Sequence, residues 1–139
     1  MNTKKHSFSE IVDCVREFHD SFGISYAQEP TAAIPEPMVR LRHRLMAEET
    51  EEYLEAALAR DAVEIADALG DQLYILCGTI LSHGMQHVIE EVFMEIQSSN
   101  MSKLGADGQP IYREDGKVMK GPNYFRPDIA RILEVETAS

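Results

Sequence analysis

Residues 47–74 read AEETEEYLEAALARDAVEIADALGDQLY, and this stretch decides the fold. Its acids fall in two groups, Glu48, Glu49, Glu51, Glu52 and Glu55, then Glu64, Asp67 and Asp71. The apolar residues between them recur at helical spacing, which predicts two consecutive helices joined near Asp61. At about 100° per residue, Leu41, Leu45 and Ala56 share one arc of the first helix, and Glu49 and Glu52 land within it. Glu48 sits at the edge of that arc; Glu51 and Glu55 lie toward solvent. On the second helix Glu64, Asp67 and Asp71 share an arc with Ile75 and Gly78, while Ile65, Leu69, Leu73, Leu76 and Ile80 fill the opposite side. A helix that is apolar on almost every side is expected to be central and buried.

Burying clustered carboxylates is costly unless they are protonated, paired with bases or bound to a metal. Few bases are on offer, because Arg42, Arg44 and Arg60 mostly point off the acidic arcs. An all-oxygen donor set without histidine or thiolate suits a hard divalent cation, Mg²⁺ or Mn²⁺. A lone acidic stripe is usually a solvated face, but two inward pairs on antiparallel neighbours, Glu49-x-x-Glu52 and Glu64-x-x-Asp67, favour the cation. A ferritin-like di-iron site would need Glu-x-x-His motifs, and the sequence has none.

Outward from this pair, Ser7 or Ser9 can cap a first helix whose stripe is Phe8, Ile11, Val12, Val15, Phe18 and Phe22, ended by Gly23. Residues 24–37 hold three prolines and read as a crossing loop. The second helix is expected over about 38–60, the third from Asp61 to about His83 with Gly84 as its stop. A fourth covers about 86–103, with Ile89, Val92, Phe93 and Ile96 as its buried stripe. Beyond Gly105 two Asp-Gly pairs suggest a hairpin turning at Asp115-Gly116, and a short last helix is expected over 128–135. The expectation is a single all-α domain over residues 1–139: a four-helix core, about 7–104, with a hairpin and tail over 105–139.

The chain has 139 residues, 44% hydrophobic and 27% charged, at a net charge of −11. That balance fits a globular protein and argues against nucleic acid as a partner, since phosphate backbones need a basic footprint. No apolar run is long enough to span a bilayer, so no membrane partner is expected. MNTKKHSFSE has no apolar segment after its lysines and does not read as a signal peptide. Cys14 and Cys77 lack CxxC spacing and read as reduced core thiols in the cytoplasm. His83 and His87 are spaced i,i+4, but Gly84 breaks the helix between them, which leaves capping or surface roles.

The pattern ExxE, a spacer and ExxD on paired helices resembles the all-α nucleoside triphosphate pyrophosphohydrolases: MazG-like enzymes, dimeric dUTPases, dCTP pyrophosphatases and phosphoribosyl-ATP pyrophosphohydrolases. The match lies in EETEE (48–52), EIAD (64–67) and ALGDQLY (68–74), and the tail SSNMSKLGADGQPIYREDGKVMKGPNYFRPD looks like that of small MazG-like members. The resemblance implies hydrolysis of a (d)NTP between the α- and β-phosphorus, with Mg²⁺ (or Mn²⁺) held by Glu49, Glu52, Glu64 and Asp67 or Asp71. Glu48 is the candidate for orienting or deprotonating water, with Asp71 second. Lys103, Lys117 and Lys120 are candidates for the phosphates, and Asn100, Asn123 and Tyr124 for the base. The hairpin is expected to act as a lid. Uncovered apolar faces predict a homodimer, or a homotetramer. House-cleaning of dUTP or another non-standard nucleotide leads; phosphoribosyl-ATP hydrolysis and a non-catalytic helical binding module are the alternatives.

Overall fold

The computed structural model describes residues 4–138 and is all-α, with five helices and no strand among them. Helix α1 (Phe8–Phe22) starts where Ser7 and Glu10 form a capping box: the Glu10 N–H donates to Ser7 Oγ at 3.2 Å, and the Glu10 carboxylate reaches back to the Ser7 N–H. Replacing Ser7 with Ala is expected to cost about 1 kcal/mol, read as a lower urea midpoint. Helix α2 (Glu36–Leu58) begins two residues before the sequence-based start, because Pro37 tolerates the first turn where its missing N–H needs no partner. It stops before Arg60, whose φ of 56° takes the chain out of the helix. Asp61 caps α3 (Ala62–Ser82), accepting from the Glu64 N–H at 3.2 Å.

The chain divides into two compact units, one ending at Gln86 and the other starting at His87. In the first, α3 packs against both α1 and α2. Val12, Val15, Cys77 and Leu81 form its core, with Phe8, Ile11 and Tyr26 packed on them. The crossing loop is tied to the end of α3. Ala27 N–H donates to Leu81 O, Thr31 N–H to His83 O, and the His83 ring donates to Thr31 O at 2.9 Å. Gly84 sits at φ 64°, and a Cβ there would run into the Glu29 carbonyl, so the end of α3 needs glycine.

Three expectations about burial fail. Cys14 is exposed, because at about 100° per residue it points well away from the stripe that Val12 and Val15 define; only Cys77 is a core thiol. Phe18 and Phe22 are exposed and stack on each other, with ring centroids 4.5 Å apart. Helix α3 is not enclosed within one chain: Val63, Leu69, Leu73 and Leu76 are exposed, so its second apolar face lies uncovered.

The second unit holds α4 (Ile89–Met101) and α5 (Ile129–Ala138), which pack on each other. Along α4 the predicted stripe is half right. Ile89 and Val92 are half-buried, but Phe93 and Ile96 are exposed, while Ser99 is buried and donates to Phe125 O at 2.8 Å. The hairpin is a single antiparallel bridge, Tyr112 to Val118, turning through Gly116 at φ 88°. Neither side extends into a strand.

Candidate metal centre

Helices α2 and α3 are joined by a turn of only residues 59–61 and run antiparallel. Polar links cross between them: Gln72 Nε2 donates to Thr50 Oγ1 at 3.3 Å, and Arg42 Nε donates to Thr79 Oγ1 at 3.1 Å. The helix register places Glu49 and Glu52 across from Asp71. One carboxylate oxygen from each lies within 4.8 Å of the others, the one such group of potential metal ligands among the described residues.

Glu49 is the inner member. It is half-buried, and its Oε2 is fully enclosed without a hydrogen-bond partner. Its carboxyl is pushed up to about 7, first by burial, then by a hydrogen bond to Glu52 and by the charges of Glu52, Asp71 and Asp67. An enclosed oxygen with nothing to satisfy it, facing two more carboxylates, is what a hard cation would resolve. The donor set fits Mg²⁺ or Mn²⁺.

The other predicted acids lie apart from this group. Glu64 and Asp67 line a cavity of about 270 Å³ with Glu52, Glu55 and Asp61. Glu64 shares an angular position with Asp71, but about two turns of helical rise separate them. A wheel projection removes that distance. Asp67 is close enough for its charge to act on Glu49 but lies outside the converging trio. Glu48 is exposed and also outside it.

The predicted substrate residues all belong to the second unit. Asn100 and Asn123 are exposed, and Lys103 is half-buried with its carbonyl accepting from the Gly121 N–H at 2.9 Å. Lys117 is exposed, and the Lys120 ammonium lies 4.8 Å over the Tyr124 ring.

Two polar residues missed as site elements are His19 and Arg42, 2% and 6% exposed. They sit with Val15, Phe18, Leu41, Leu45 and Tyr74 on a cleft of about 390 Å³. Burial and then the Arg42 charge push the His19 imidazole below its usual range, and burial lowers Arg42 as well. Leu45 is one turn before Glu49, and Tyr74 one turn after Asp71, so the cleft adjoins the acids. The clue for His19 lay in the sequence, at i+4 from Val15 on the buried stripe of α1. Arg42 carried one too, at i−7 from Glu49 and i−3 from Leu45 on the inward arc of α2.

A family model described as phosphoribosyl-ATP pyrophosphohydrolase matches residues 15–100, which include all of α2 and α3. The chain belongs to this family and is a pyrophosphohydrolase. Twenty-four solved chains match it. One is a candidate NTP pyrophosphohydrolase from Exiguobacterium sp. 255-15, solved at 1.78 Å. It is 31% identical, with 96% of each chain covered and a TM-score of 0.47. A comparison with curated proteins gives no match. The non-catalytic module gives way to family membership. No helix is long and apolar enough to cross a membrane among the described residues.

Proposed function

We propose that this protein is a Mg²⁺-dependent nucleoside triphosphate pyrophosphohydrolase that converts a (d)NTP to the monophosphate and pyrophosphate. The supporting observation is the enclosed, partnerless Oε2 of Glu49 beside Glu52 and Asp71. In this reading Glu49, Glu52 and Asp71 hold one cation, and Glu64 and Asp67, which share a cavity with Glu52, would offer oxygens to a further Mg²⁺ ion. The ion, with Mn²⁺ as substitute, would offset triphosphate charge and acidify water. Glu48, on the outer edge of α2, is assigned to orient the attacking water. Asp71 could share that role only if it is not wholly engaged as a ligand.

The cleft beside the acids is assigned to the base: Phe18 and Tyr74 offer aromatic surface, their rings 5.7 Å apart edge to face. Lys103, Lys117 and Lys120, proposed for the phosphates, and Asn100, Asn123 and Tyr124, proposed for the base, all belong to the second unit. The exposed Val63, Leu69, Leu73 and Leu76 support a homodimer or homotetramer, since uncovered apolar helix faces favour association. The cytoplasm, where thiols such as exposed Cys14 stay reduced, is the proposed compartment.

The preferred substrate is dUTP or another non-standard nucleotide. Phosphoribosyl-ATP is the second reading, favoured by the description of the matching family model. A panel of canonical and modified (d)NTPs plus phosphoribosyl-ATP, scored for pyrophosphate with Mg²⁺ or Mn²⁺, separates them. Highest kcat/KM for a non-standard (d)NTP is the expected result. Preference for phosphoribosyl-ATP would replace it, and no pyrophosphate from any member would overturn both.

A further inference from the structure

We propose that Arg42 is a positioning residue: it holds α2 and α3 in the register at which Glu49, Glu52 and Asp71 converge. This rests on reading those acids as the metal centre. Three carboxylates within 4.8 Å of one another repel, and the repulsion acts between the two helices that carry them. A shift of one helix along the other by a single turn, about 5.4 Å, would exceed the spacing of the trio and dissolve it. Something must oppose that shift while the site awaits its cation.

Arg42 lies two turns before Glu49 on α2, and its guanidinium crosses to α3. Nη2 donates to Ile75 O at 2.9 Å, one turn beyond Asp71, and Nε donates to Thr79 Oγ1 at 3.1 Å. The Thr79 hydroxyl donates to the same Ile75 carbonyl at 2.9 Å, closing a triangle. These acceptors are neutral, so the buried charge is solvated by α3 rather than neutralised by a carboxylate. A rigid fork bonded to two fixed points resists sliding in a way that apolar contacts do not. Gly78 makes room for it. A Cβ there would overlap Arg42 Nη2 and stand 3.1 Å from His19 Nε2. The Thr50–Gln72 link ties the helices nearer the acids, but it is a single bond between exposed side chains.

The experiment measures Mn²⁺ affinity by electron paramagnetic resonance, together with thermal unfolding, for the whole chain and for Arg42→Met, Arg42→Lys and Gly78→Ala. Residues that orient metal ligands typically contribute 10–100-fold to affinity. Arg42→Met and Gly78→Ala are therefore expected to bind Mn²⁺ about 10–100-fold more weakly while still folded, and Arg42→Lys to recover part of the loss. A merely structural arginine would lower the unfolding temperature and leave the affinity of the folded protein unchanged. Unchanged affinity in folded Arg42→Met, or in Gly78→Ala should the first not fold, overturns the proposal. Spin labels at Glu51→Cys and Ala66→Cys, in a Cys14→Ser background, give a reading that needs no metal. Their distance distribution is expected to shift or broaden in Arg42→Met, and an identical distribution overturns the proposal. Should the unaltered chain bind no Mn²⁺, the metal-centre reading falls, and the label distances still decide the role of Arg42.

Discussion

Glu49→Gln is expected to lower pyrophosphate release about a thousandfold without unfolding the protein. At pH 8 the metal-free variant should unfold at the same temperature as the unaltered chain or higher. The two effects have opposite signs for one reason. The Glu49 carboxylate is enclosed against Glu52 and Asp71, so its charge is unfavourable in the folded chain. Glutamine keeps the shape and one oxygen, removes the charge, and so relieves repulsion while removing a ligand. Glu52→Gln is expected to lose comparable activity with a smaller gain in stability, because Glu52 is exposed. Glu51→Gln, on the solvent side of the same helix, serves as the control and is expected to stay within about twofold of normal turnover. Activity in Glu49→Gln within tenfold of normal would remove the acids from the catalytic machinery; a large fall in unfolding temperature would mean that Glu49 is structural.

Much of this site can be read from residues 47–74, and the parts that cannot share a physical cause. Periodicity assigns each residue an angle around its helix, and that was enough to turn Glu49 and Glu52 toward α3 and Asp71 toward α2. Angle carries no information about rise. Glu64, Asp67 and Asp71 therefore look equivalent on a wheel, whereas the folded pair brings only Asp71 to Glu49. Deciding among them needs the register between helices, and the side chains that bridge them, Arg42 to Thr79 and Gln72 to Thr50, pair across elements in a way that periodicity within one helix does not reveal. The sequence-based expectation has Arg42 pointing off the acidic arc, although seven residues at about 100° each bring it within about 20° of Glu49; its acceptors on α3 show that it lies on that face. The helix ends at Ser7, Gly23 and Asp61 were legible because capping chemistry is local. Burial was less so: Leu69, Leu73 and Leu76 are apolar enough for a core, yet all three are exposed in the folded chain.

On the proposed metal-centre reading, the proton on Glu49 links cation binding to pH in one direction. With its carboxyl pushed up to about 7 in the folded chain from the ordinary 4.5, the folded protein keeps a proton that the unfolded chain gives up between those values. Metal-free stability contributed by this group is therefore greatest below pH 4.5, declines as pH rises toward 7, and is level above that. A bound cation requires the ionised form, so it should reverse the trend and stabilise the protein most at pH 7 and above. Below pH 7 each binding event is expected to release up to one proton. The ionised fraction of such a group falls from about one half at pH 7 to about one hundredth at pH 5, so Mn²⁺ affinity should drop about 50-fold over that interval. Titration calorimetry in two buffers of different ionisation enthalpy measures both the proton count and the affinity. In Glu49→Gln the proton release should vanish, and whatever Mn²⁺ binding remains should lose most of its pH dependence between 5 and 7. Proton release that survives in Glu49→Gln would place the titrating group elsewhere in the trio, and an affinity independent of pH in the unaltered chain would mean that Glu49 is already ionised without its cation.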